Sequence, residues 1–178
     1  MKEMIKGQEV AREQRTKYLV MTALFAAMTF IAIRINIPIG IGGHVVHVGD
    51  SMIYLAACIL PTPYAMAAGS IGAALSDFTT PGCMMYVIPT LIIKAIMAGY
   101  FTNQGKIVCK RNVIATIVAG ATGIFGYYIA DVIYTRSFVA GISAAIMQIP
   151  QPVGSMIVFL AVGMAMDKSR ITSRLYIK

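Results

Sequence analysis

Lys94 stands in the run Leu91–Ala98, where every other residue is apolar, and steps of four lead back to Thr90 and Tyr86. On an α-helix that spacing puts a phenol, a hydroxyl and an ammonium on one face. Tyr127, Asp131 and Tyr134 follow the same logic at i, i+4 and i+7, and Gln148, Gln151 and Ser155 at i, i+3 and i+7. Asp77 closes another apolar stretch, while His44, His47 and Asp50 lie in or just after a glycine-rich segment. Aromatic rings with a few fixed carboxylates, amides and hydroxyls suit the holding of a small planar molecule. Each group also has a plainer role. Tyrosines at helix ends anchor at a membrane surface, and Asp50 can cap the helix that follows it or act as a gate. Two histidines alone do not make a metal site. Lys94 either serves function or forms a structural pair with Asp77 or Asp131. The chain contains no HExxH, no GxSxG and no GxxxxGK[ST] phosphate loop, so no motif for metal-dependent hydrolysis, serine hydrolysis or nucleotide hydrolysis is present.

The elements that must carry these groups are apolar. Of 178 residues, 58% are hydrophobic and 12% charged, against about 45–50% and about 25% in an ordinary soluble domain. Twelve of the fifteen Lys and Arg fall in residues 1–17, 106–111 and 168–178. The net charge of +8 is therefore confined to segments between apolar stretches, which points to an integral membrane protein in a lipid bilayer and away from nucleic acid. Cys58, Cys83 and Cys109 have no metal-type spacing and read as small incidental residues.

A spanning helix needs about 20 mostly apolar residues, and six stretches read as spans, the second of them short: 18–37, 50–61, 63–79, 85–103, 112–134 and 150–167. The expected class is thus all-α integral membrane, six transmembrane helices in a single domain spanning 18–167. The first apolar run has no evident cleavage site and reads as a retained helix. Pro38 and the glycines at 40, 42 and 43 open a flexible loop through Gly49. Residues 137–149 read as an interfacial or re-entrant piece. An even number of spans puts both termini and the 103–111 loop on one side, and basic segments stay cytoplasmic. Residues 1–17 and the basic tail 168–178 are then cytoplasmic.

With that orientation nearly all the intramembrane polar groups occupy the outer half. They describe a cup opening outward, walled by the last three helices and roofed by loop 38–49. A through-channel would need polar lining at every depth. Small-residue faces form a second pattern: Ala23 and Ala27; Ala65, Gly69 and Ala73 with Ala68, Gly72 and Ser76 beside them; and Ala119 and Gly123. Such faces let helices approach closely. Two rival readings are a lipid-modifying membrane enzyme using Asp131, His47 or Lys94, and an autonomous secondary transporter. The first lacks a nucleophile–base motif, and the second lacks related halves.

In chain order the fragments Ala23-x-x-x-Ala27, His47-Val-Gly-Asp50, Leu60-Pro-Thr-Pro-Tyr64 and Gly69-x-x-Gly72-Ala-Ala-Leu-x-Asp77 resemble the S components of energy-coupling factor (ECF) vitamin importers. The segments Pro89-Thr-Leu-Ile-Ile-Lys94-Ala and Pro150-Gln-Pro-Val-Gly154 are similar too. The likeness covers about residues 17–167 and is nearest to the riboflavin, hydroxymethylpyrimidine and pyridoxine group. It implies a bacterial membrane subunit that captures a vitamin near the outer surface. It also implies a membrane scaffold subunit as partner, docked on the Ala23/Ala27 face, and two cytoplasmic ATPases. ATP would be used by those partners. The chain itself would be no enzyme and need no cofactor or metal. The residues expected to bind substrate are His44, His47, Asp50, Asp77, Tyr86, Thr90, Lys94, Tyr127, Asp131, Gln148 and Gln151.

Overall fold

The computed structural model describes residues 2–38, 45–102 and 105–169, with side chains described over 8–35, 46–102 and 105–169. Seven α-helices carry almost all of it: α1 (Lys2–Arg34), α2 (Gly49–Ile59), α3 (Thr62–Thr79), α4 (Val87–Gly99), α5 (Lys110–Thr135), α6 (Phe138–Gln148) and α7 (Pro150–Lys168). A 3₁₀ turn, Met84–Tyr86, leads into α4. The all-α class expected from composition is what the chain adopts, with one small addition. Strands β1 (Asn36–Pro38) and β2 (Val45–His47) pair antiparallel, Ile37 opposite Val46. The expected flexible loop 38–49 is therefore a ribbon on both sides of residues 39–44, which lie outside the described residues.

Three boundaries differ from the sequence reading for identifiable reasons. Helix α1 does not begin near residue 18. Residues 8–17 are mostly Ala, Arg, Glu, Gln and Lys, good helix formers without Gly or Pro, so the helix runs through them. It stops at Arg34 because the next residues pair as β1. Helix α4 stops at Gly99 instead of 103, and Asn112 holds the connection that follows. Its amide donates to the Thr102 and Ile107 carbonyls at 3.0 Å each, and its oxygen accepts the Thr102 N–H at 3.1 Å. Residues 138–148, within the stretch read as interfacial or re-entrant, form a helix of their own, α6. Arg136 ends α5 in the left-handed region at φ 53°, and the Ser137 hydroxyl then accepts the Ala140 N–H at 3.3 Å to start α6.

The exterior is apolar, unlike that of a soluble protein. Helix α2 is buried along its whole length apart from Met52, packed by α1, α3, α4 and α7. Tyr54 of α2, Phe101 and Phe159 make an aromatic knot with ring centroids 4.9–5.9 Å apart. Around this centre the buried set includes Thr22, Thr29, Asp50, Ser70, Thr90, Lys94, Asn112, Thr116, Asp131 and Ser155. The exposed set is aliphatic and aromatic: Leu19, Leu24, Ile31, Phe78, Ile88, Ile92, Ile117, Phe125, Ile133, Phe138 and Ile157 among others. Polar groups inside and large apolar groups outside is the arrangement a hydrocarbon solvent demands. Three stretches, Gln8–Arg34, Lys110–Thr135 and Phe138–Lys168, are long and apolar enough to cross a membrane. Helix α2, with 11 residues, is about 16 Å long at about 1.5 Å per residue and depends on its neighbours for cover.

The small-residue faces separate into two kinds. Ala65, Gly69 and Ala73, and Ala68, Gly72 and Ser76, are all buried on α3, as are Ala119 and Gly123 on α5. A Cβ on Gly72 would lie 2.4 Å from the Ala26 carbonyl oxygen, so this glycine sets the approach of α1 to α3. Ala23 and Ala27, on the other side of α1, are exposed.

Candidate functional site

The polar groups on six helices meet because of where each helix begins or ends. Asp50 and Gln151 lie in the first turns of α2 and α7, and Tyr86 immediately before α4. Asp77, Asp131 and Gln148 lie near the last turns of α3, α5 and α6. Alternating chain direction thus brings five of them to one end of the bundle, beside the β ribbon, and Gln148, two residues before α7 begins, joins them there. There they surround a cavity of about 310 Å³. Its wall is made by His47, Asp77, Cys83, Tyr86, Tyr127, Asp131, Ala144, Gln148 and Gln151.

Two hydroxyl–carboxylate pairs shape this wall. Tyr86 donates its phenol to Asp131 Oδ1 at 2.5 Å. Thr90 donates to Asp77 Oδ2 at 2.5 Å and sits 2.9 Å from the Tyr127 hydroxyl. Thr90 has one proton, already given to Asp77, so Tyr127 donates to Thr90. Each carboxylate keeps lone pairs free for a further donor. The Tyr86 and Tyr127 rings stand 6.4 Å apart at 60°, and Tyr134 braces Tyr86 edge-on from behind, its hydroxyl on the Met85 carbonyl at 2.6 Å.

Beneath Tyr127 a second space of about 20 Å³ holds the ion pair. Lys94 Nζ meets Asp50 Oδ1 at 2.5 Å with both side chains buried, and the same ammonium lies 5.4 Å from the Tyr127 ring centre. Tyr127, Gln148 and Gln151 border both spaces. The Gln151 amide nitrogen is 3.1 Å from His47 Nε2 and 3.4 Å from Asp50 Oδ2, so α7 is tied to the ribbon and to α2 at one point. Burial, with help from Lys94 and against the pull of Asp50, lowers the His47 pKa to about 4. His47 is therefore neutral at pH 7. Burial also raises the Cys83 thiol, which stays protonated.

Of the residues singled out by sequence, His47, Asp77, Tyr86, Tyr127, Asp131, Gln148 and Gln151 line the cavity, and Thr90 braces two of them. His44 lies outside the described residues. Asp50 does not cap α2: Val48 occupies that position, and the carboxylate is taken by Lys94 and Gln151. Lys94 pairs with Asp50, not with Asp77 or Asp131. Ser155 is buried, with no hydrogen-bond partner for its hydroxyl among the described residues, and is not on the wall. The cup is not walled by the last three helices alone, since α3 and the ribbon contribute Asp77 and His47. Sequence reasoning passed over Cys83 and Ala144. Cys83 sits one helical turn before Tyr86, a spacing that could have flagged it. Ala144 carries no chemical signal. No group of three or more His, Cys, Asp or Glu suited to a metal ion occurs among the described residues.

A family model described as ECF-type riboflavin transporter, S component, matches residues 13–168. The chain belongs to that family. No match was found among curated proteins or among solved structures. An S component is the substrate-binding part of a transporter and associates with an ECF module and a small-molecule ligand. For this S component the match runs from residue 13, within α1, to the last residue of α7, so the cavity and the Lys94–Asp50 pair beneath it lie within the family's own domain. The exposed apolar shell agrees with a membrane-embedded subunit.

Proposed function

We propose that this S component captures a small water-soluble vitamin at the outer face of a bacterial membrane. A membrane scaffold subunit and two cytoplasmic ATPases would complete delivery. The single observation that carries the reading is the cavity of about 310 Å³ at one end of the bundle, walled by tyrosines, carboxylates and amides. Its volume is at the small end of the ~300–1,000 Å³ common for such sites. That size favours a single-ring vitamin, pyridoxine or hydroxymethylpyrimidine, over riboflavin. Six crossings, by α1 to α5 and α7, account for the alternating helix ends, with α6 lying beside the cavity. The basic segments then fall on the opposite side, where the Ile107 and Val108 N–H groups donate to Asp167 at 3.0 and 2.9 Å. Both termini, including residues 1–17 and 168–178, are cytoplasmic in this reading.

Calorimetry on the purified protein, without ATP or partners, tests it. One of these vitamins should bind with one-to-one stoichiometry. Absence of binding by every common B vitamin to folded protein rejects vitamin capture by the isolated subunit.

A further inference from the structure

Resting on the capture reading above, we infer that the cavity selects a small planar cation, held by Asp77 and Asp131, over neutral and anionic molecules of the same shape. The basis is the charge of the wall. Asp77 and Asp131 both face the space, and no Lys or Arg lines it among the described residues. At this end Arg136 is exposed and off the wall, and two further cations are engaged elsewhere. Lys94 is matched by Asp50 below the Tyr127 ring, and Arg34 donates to the Ser76 carbonyl and the Thr79 hydroxyl. His47 adds no positive charge at neutral pH.

Each carboxylate receives one hydroxyl hydrogen bond, from Thr90 or from Tyr86. A hydroxyl orients a carboxylate without cancelling its charge, so an unfilled demand for donors remains on the wall. Tyr86 and Tyr127 also line the space, and a cation over an aromatic ring gains where a neutral ring does not. An anionic ligand would meet two like charges and no compensating cation. The amides of Gln148 and Gln151 can satisfy ring nitrogens or hydroxyls of either kind, and so do not discriminate by charge.

Two matched series test this by calorimetry on purified protein at neutral pH. One is pyridoxamine, pyridoxine and pyridoxic acid; the other is benzamidine, benzamide and benzoate. Riboflavin and hydroxymethylpyrimidine, an aminopyrimidine, are measured alongside. The cationic member should bind at least about tenfold more tightly than its neutral isostere, since only its bond to a carboxylate joins opposite charges. The anion should bind least. Asp77→Asn and Asp131→Asn together, with folding checked by thermal unfolding, should erase that order. Charge-blind binding, tighter binding of the neutral or anionic member, or an order unchanged in the Asn pair overturns the inference. Riboflavin or hydroxymethylpyrimidine binding without binding of any cation overturns it too, yet leaves vitamin capture standing. If nothing in the set binds, both the charge preference and the capture of these ligands fall.

Discussion

Lys94 and Asp50 lie 44 residues apart in sequence and meet at 2.5 Å in the buried layer under the cavity. Removing one member of such a pair strands a charge in a place with little water. Lys94→Met should therefore destabilise the protein by about 3–5 kcal/mol, and adding Asp50→Asn should recover much of the loss. Thermal unfolding in detergent measures both; a single variant that melts like wild type would show that the pair is not holding α2 to α4. His47 offers a second residue-scale test. Its pKa of about 4 in the folded state lies below the ordinary 6.5. Between those values the unfolded chain binds a proton that the native state refuses, so stability falls as pH drops from 6.5 towards 4. His47→Gln should flatten that part of the pH–melting profile relative to wild type, and an unchanged slope would assign the effect to other groups. Neither the Lys94 partner nor the His47 environment was legible in sequence. Helical spacing reports only which residues share a face of one helix, and these contacts join different elements.

At the scale of elements, what periodicity could reach was the grouping within helices. Tyr86, Thr90 and Lys94 do lie along one face, pointing to Asp131, Asp77 and Asp50 in turn. The end of α4 and the helix α6 were set by signals that no hydrophobic period contains. One is an asparagine reaching back ten residues to Thr102; the other is a left-handed Arg136 followed by a serine cap. Small residues were visible as stripes, but a stripe does not say what it faces. Gly72 faces the α1 backbone, where even a methyl group would lie 2.4 Å from the Ala26 oxygen. Gly72→Ala should push α1 from α3 and cost about 1–3 kcal/mol. A Cβ on Gly99 meets nothing within 4 Å, so Gly99→Ala should be neutral or mildly stabilising. Equal melting temperatures for the two variants would mean that α1 can shift without loss.

The whole molecule presents a polar cup at one end and an apolar belt around its sides, and in the proposed orientation ATPases on the far side of the membrane would act on it through a membrane partner. The α1 surface is where the internal contacts leave room. Phe25, Thr29 and Ala32 of α1 are buried in the bundle, whereas Ala23 and Ala27 remain exposed one turn apart. Alanines that do no internal packing can be enlarged without disturbing the fold. The cup wall comes from α3, the turn that leads into α4, α5 to α7 and the ribbon, with no residue from α1. Replacing both Ala23 and Ala27 with Leu should therefore leave ligand affinity and melting temperature of the isolated subunit within experimental scatter. A large side chain on that face would hold a partner helix off its backbone, so complex formation with the scaffold and uptake in cells should be lost together. Measuring all four on one double variant separates the possibilities. Loss of affinity and stability along with uptake would mean that α1 uses these alanines inside its own bundle, and uptake at the wild-type rate would place the docking face elsewhere on the apolar belt.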